Sequence, residues 1–252
     1  MSAFIIAFST YSRIPMPQVE WNEKHMKYAI CFFPLVGAVV GLLALGWGWL
    51  CRFLDLGELL QAAGWTALPL LVTGGIHMDG FCDTVDALSS HQSRERKLEI
   101  LKDSHTGAFA VIFCGVWLLL YTGAVSQAPF PRGIGVLAWG YVLSRALSGL
   151  ALANWKGARP SGMLQAFADA SHRTVVTATM VVYLLLAGVG MLLCSPVGGG
   201  AALLAAALVF AYYRRMSYRI FGGITGDLAG YFVQLCELAA ALAVALTHGW
   251  IN

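Results

Sequence analysis

The sequence predicts an all-α fold: a polytopic integral membrane helical bundle with about seven transmembrane helices. Three observations predict it. Of the 252 residues, 58% are hydrophobic and 12% charged, with a mean hydropathy of +0.70, whereas a soluble domain is about half apolar and about a quarter charged. The apolar residues gather in runs close to the roughly twenty needed to cross about 30 Å of hydrocarbon. The basic residues alternate between rich and poor along the segments that join those runs.

Residues 1–17, MSAFIIAFSTYSRIPMP, are too short in their apolar part to span. They lack the basic start and small-residue cleavage site of a signal peptide. Closed by Arg13, Pro15 and Pro17, this stretch reads as an interfacial helix lying on the membrane. Spans are then expected at 28–50, 59–75, 108–126, 133–153, 175–194, 199–213 and 230–250. Trp21, Tyr28, Trp155, Tyr212, Tyr213 and Trp250 near their ends suit interfacial aromatic belts. No long polar linker interrupts the pattern, so the chain reads as one membrane-embedded catalytic domain. The six cysteines form no CxxC pair and lie mostly in apolar runs, as buried free thiols do.

Positive charge orients the bundle. Thirteen Lys and Arg fall in the amino-terminal arm and every second segment after it: Arg13, Lys24 and Lys27; Arg94, Arg96, Lys97 and Lys102; Lys156, Arg159 and Arg173; Arg214, Arg215 and Arg219. The intervening segments hold two, Arg52 and Arg132, and Arg145 lies within a span. The positive-inside rule then places the amino terminus and the 76–107 segment in the cytoplasm. The net charge of +3 reflects this loop asymmetry and gives no reason to expect a nucleic-acid partner.

Chemistry concentrates between Gly74 and Gly107, where four aspartates, three histidines and four Lys/Arg interrupt an apolar chain. Asp79, Asp83 and Asp86 are spaced i, i+4, i+7, which on a helix puts them within an arc of roughly 60°. Such carboxylates repel unless a cation joins them or one takes a proton. Oxygen-only donors suit Mg²⁺, held by one or two carboxylates plus substrate phosphates; the bland alternative is a solvated acidic loop. Gly74, Gly75 and Gly80 allow a break and a close backbone approach to a ligand. His77, beside the cluster, reads as an orienting group or a proton acceptor. The charges of 94–102 read mostly as a solvated or headgroup-facing helix surface, with Arg94 and Lys102 as candidate phosphate ligands. Two readings are open for Asp103: N-cap of the third span, or a further metal or phosphate ligand.

A second polar island, Gly222 to Asp227, opens the last span, and Glu237 lies about 15 Å further along it. Glu237 reads either as a functional intramembrane acid or as a structural partner of Arg145. Carboxylates, glycine breaks and basic residues at a membrane face fit metal-assisted phosphoryl transfer. No GxxxxGK[ST] loop is present.

Four runs in register, FPLVGAVVG (33–41), GGIHMDGFCDTVDA, LEILKDSHTGAFAV and TGDLAGYFVQLCEL (225–238), resemble the cobalamin synthase, or adenosylcobinamide-GDP ribazoletransferase, family. The likeness covers essentially the whole chain. It implies a Mg²⁺-dependent enzyme of bacterial or archaeal cell membranes, facing the cytoplasm. Such an enzyme transfers the phosphocobinamide moiety of adenosylcobinamide-GDP to α-ribazole or its 5′-phosphate and releases GMP. It also implies His77, Asp79, Asp83 and Asp86 as catalytic or metal-binding residues, with Asp227 as a further metal ligand. Substrate contacts are implied at Asp103, Ser104, His105, Thr225 and Glu237. Implied partners are the two substrates and the lipid bilayer; a homo-oligomer or an assembly with other corrinoid-pathway enzymes is compatible with it. Two positions depart from the family pattern: Ala87 stands where Gly is usual, and His105 where Arg is usual. A CDP-alcohol-phosphotransferase-like enzyme is a rival reading, but Thr84 follows Asp83 where that pattern needs Ala-Arg. A polytopic transporter using Arg145 and Glu237 is another.

Overall fold

The computed structural model describes every residue except Ser104, Ser161 and Asn252, and for Glu23 the backbone alone. Twelve α-helices are found among the described residues: α1 (Ser2–Tyr11), α2 (Glu23–Met26), α3 (Phe33–Phe53), α4 (Glu58–Thr73), α5 (Ile76–Ser89), α6 (Arg94–Ile100), α7 (Ala108–Ser126), α8 (Arg132–Asn154), α9 (Met163–Ala170), α10 (Arg173–Cys194), α11 (Pro196–Met216) and α12 (Gly226–Leu246). The same residues contain no strand, only an isolated parallel bridge between Gly157 and Ile224.

Six helices are long and apolar enough to span: α3 with the turn before it, α7, α8, α10, α11 and α12. The remaining expected span, 59–75, ends in a sharp bend. Gly74 and Gly75 both adopt the left-handed conformation (φ +64° and +77°), and α5 leaves α4 at 93°. Two successive residues at positive φ favour glycine, so the break is written in the sequence. Leu42, Trp49, Leu71, Leu119, Leu185, Leu193 and Leu204 stand exposed on these helices, as lipid-facing side chains do.

Helix α8 is the hub, packed against α3 and α10 and contributing to the core along nearly its whole length. Gly37 and Gly41 explain its approach to α3. A Cβ at either would strike the α8 backbone at Tyr141 or Ala138. This is small-xxx-small packing, so part of the FPLVGAVVG run serves the fold. Arg145 of α8 and Glu237 of α12 meet as a buried ion pair. Ser144 Oγ donates to Glu237 Oε1 at 3.1 Å, and Arg145 Nη1 to Tyr141 O at 3.1 Å. Of the two readings of Glu237, the structural partner is the one observed.

The amino-terminal helix packs onto the bundle. Ile5, Ile6, Ala7 and Phe8, four consecutive residues, are buried in α1, and Arg13 N donates to Val72 O at 2.8 Å. Its apolar residues meet protein, including α3, rather than entering lipid alone.

Candidate active site

The acidic segment and the last span are brought together by α5 packing along α12. His77 lies against Gly230 and Gly80 against Asp227, so the two helices run in opposite directions. A Cβ on Gly80 would come within 2.7 Å of Asp227 O. The close approach expected of Gly80 is therefore to α12, not to a ligand.

Asp83 shows what this placement does. Half-buried, it has a pKa pushed up to about 7, first by loss of water and then by the charges of Asp79, Asp227, Asp86 and Asp103. Carboxylates from α5 and α12 thus share one field, as the two polar islands suggested. A divalent cation would relieve that repulsion, and hard oxygen donors fit Mg²⁺. Among the described residues, no three His, Cys, Asp or Glu side chains form a metal cage by themselves. One or two carboxylates completed by substrate phosphates is the usual Mg²⁺ arrangement.

Asp86 separates from its neighbours. Its Oδ2 accepts from Gly107 N at 2.6 Å and its Oδ1 from Ala110 N at 2.9 Å. Helix α7 begins with orphan N–H groups, and Asp86 satisfies two of them from another helix. A Cβ on Gly107 would meet this carboxylate at 2.7 Å. Asp103, one reading of which was the cap of that span, instead accepts from His105 N at 3.0 Å and pairs with His105 Nδ1 at 2.7 Å. These contacts hold its carboxyl below the usual range. Asp103 and His105 are exposed, as is Lys102, and Ser104 lies outside the described residues.

Other expected ligands are also employed locally. Thr225 Oγ1 caps α12 by accepting from Leu228 N at 3.2 Å and donates to Asp227 Oδ2 at 3.3 Å. Arg94 Nε donates to Ile220 O at 3.3 Å and ties α6 to the turn before α12. Lys97 departs from the solvated surface expected of 94–102: it is buried, and its Nζ caps α5 at Ala87 O (2.7 Å) and Leu88 O (3.2 Å). Glu237, held by Arg145, is removed from the cluster.

Arg159 was counted in the sequence only for topology. Its Nη1 stands 3.7 Å from Asp227 Oδ2, its Nη2 donates to Leu98 O at 2.6 Å, and its buried Nε has no partner. It therefore sets a cation beside the carboxylates. Gly223 gives the hint in sequence. A Cβ there would strike Lys156 O and Ala158 N, so its absence lets the 156–158 backbone pair with Ile224, with Ala158 N to Ile224 O at 2.8 Å and Ile224 N to Lys156 O at 2.9 Å.

Beside the cluster lies a cavity of about 210 Å³, walled by Tyr11, Phe33, His77, Leu152 and Met163, with Asp79 and Asp227 also lining it. An adjoining cavity of about 110 Å³ is lined by Arg159, Gln165 and Thr225. Asp227, Gly226, Met163 and Leu164 border both.

A multi-pass helical bundle with a carboxylate cluster, an adjacent arginine and cavities at one end has the make-up of a membrane-embedded enzyme. The profile of the cobalamin-5-phosphate synthase family matches residues 3–245, and the chain belongs to that family. It is 50% identical over 251 residues to an adenosylcobinamide-GDP ribazoletransferase of Lachnoclostridium phytofermentans, covering 100% of this chain and 96% of that protein. Proteins of the same name from Pseudomonas savastanoi pv. phaseolicola (36% identical, 98% and 100% covered) and Clostridium botulinum (31%, 96% and 96%) are similar over the full length. No solved structure matches the chain.

Proposed function

We propose that this enzyme catalyses Mg²⁺-dependent transfer of the phosphocobinamide moiety of adenosylcobinamide-GDP to a ribose hydroxyl of α-ribazole or its 5′-phosphate. The products are GMP and adenosylcobalamin or its 5′-phosphate, formed at the cytoplasmic face of the cell membrane. The observation that carries this reading is the meeting of Asp79 and Asp83 on α5 with Asp227 on α12, with Arg159 at 3.7 Å from Asp227. The names of the relatives supply the substrates. The clustering of thirteen basic residues on one set of segments supports the cytoplasmic orientation.

Asp79 and Asp227 are the residues to hold Mg²⁺, which supplies charge neutralisation on the diphosphate. Arg159 binds a phosphate oxygen and stabilises the charge that grows on the departing GMP. Asp83, half-buried in the field of Asp79 and Asp227, accepts the proton of the attacking hydroxyl. The hydroxyl oxygen bonds to the phosphorus that carries the cobinamide arm, and the bond from that phosphorus to the GMP phosphate breaks.

Purified protein in proteoliposomes, given adenosylcobinamide-GDP, α-ribazole and Mg²⁺, is expected to release GMP and to stop when EDTA is added. Uptake of the corrinoid with no GMP formed would overturn the reading in favour of transport.

A further inference from the structure

The larger cavity has a chemistry of its own. Tyr11, Phe33 and His77 form a group of rings, with centroids 4.2 Å apart for Tyr11–Phe33, 5.7 Å for Phe33–His77 and 6.3 Å for Tyr11–His77. Leu152 and Met163 add apolar wall, and no Lys or Arg is among the described residues that line it. His77 is buried and its Nε2 has no hydrogen-bond partner. An unpartnered ring nitrogen so enclosed costs free energy unless a ligand pairs with it. The acids Asp79 and Asp227 line the same cavity and so fix its polar end.

These features select among the parts of the reactants. Away from the Asp79–Asp227 end, phosphates have no basic side chain in this cavity, whereas Arg159 serves them in the adjoining one. A corrin macrocycle is far too large for about 210 Å³. A flat heteroaromatic ring suits it, because aromatic faces favour offset or edge-on ring contacts.

We infer that the aromatic cavity is the subsite for the bicyclic base of the nucleoside acceptor, and that His77 positions this base by donating a hydrogen bond from Nε2 to its free ring nitrogen. The inference rests on the acceptor assigned under the proposed function. With the base so held, the ribose lies toward Asp79 and Asp227, and its hydroxyl faces the carboxylate cluster. His77 then has no part in proton transfer, and Leu152 limits the size of base admitted.

Two measurements test it on the full chain in proteoliposomes. The first is binding of α-ribazole alone, followed by the nucleoside's own fluorescence. His77→Gln, which keeps a donor, is expected to stay near the wild-type Kd. His77→Ala should raise Kd about tenfold, as loss of one buried hydrogen bond does. The second is steady-state turnover of Leu152→Phe. It should raise KM for α-ribazole about tenfold but not KM for the GDP-corrinoid, and shift preference toward the riboside of benzimidazole without ring methyl groups. Unchanged Kd in His77→Ala, or a KM effect on the GDP-corrinoid with no shift between the two ribosides, would overturn the subsite. Nucleoside binding with this pattern but no GMP release by the wild type would sustain the subsite and overturn the reaction instead.

Discussion

Two groups of charges sit in this bundle, and they are handled in opposite ways. Arg145 and Glu237 are almost wholly buried and answer one another, with Ser144 and the Tyr141 carbonyl as further partners. Asp79 and Asp83 of α5 crowd with Asp227 at the start of α12, and among the described residues it is Asp227 that has a cation near it, Arg159. Paired charge deep in the bundle fixes how α8 meets α12. Crowded like charge at its end is a strained arrangement that a ligand relieves. Position along α12 separates the two roles.

This contrast can be broken from either side. The largest effect is expected at the pair: Glu237→Ala leaves Arg145 buried and unanswered, which costs about 3–5 kcal/mol. Thermal unfolding in detergent should show the loss, and the protein should accumulate poorly. Asp83→Asn should do the reverse, keeping the fold and lowering the rate of GMP release by about 10²–10³-fold. A variant that folded normally without Glu237, or turned over normally without Asp83, would erase the distinction.

Asp86 sharpens the comparison because it belongs to the cluster by sequence and to the scaffold by contact. Asp86→Ala should cost about 1 kcal/mol through loss of the α7 cap. Its residual GMP release should far exceed that of Asp83→Asn. The smallest effect is with pH. The folded-state pKa of Asp83 is raised to about 7, so its stabilising contribution is complete below its unfolded pKa and is lost as pH rises through about 7. Half-exposure to solvent keeps the effect modest. In EDTA the melting temperature should fall between pH 5 and pH 8, on the order of the pKa interval involved, and Mg²⁺ should flatten that slope.

Much of this was legible in the sequence. Apolar runs and charge asymmetry anticipated the spans, and Gly74–Gly75 announced the break. The meeting of two polar islands followed from counting which segments share a face. What stayed hidden was the employment of each acid. Spacing put Asp86 beside Asp79 and Asp83 on one helix face, yet it cannot show that the start of α7 lies within 2.6 Å of that carboxylate. Likewise Arg159 looked like one more cytoplasmic charge, because its neighbours Leu98 and Asp227 come from distant parts of the chain. Tyr11 and Phe33 carried no signal in the sequence, because their meeting depends on α1 packing against the bundle.

The crossing of Gly80 with Asp227 has a consequence for the order in which the protein is made. Helices α6 to α11 lie between these residues in the chain, so α12 leaves the ribosome well after α5. At roughly 5–20 residues per second, on the order of ten seconds pass between the appearance of the two halves. During that interval Asp79 and Asp83 wait without their partner helix. The candidate site is therefore completed only once α12 has emerged, and a chain that stops short of α12 leaves Asp79 and Asp83 without Asp227.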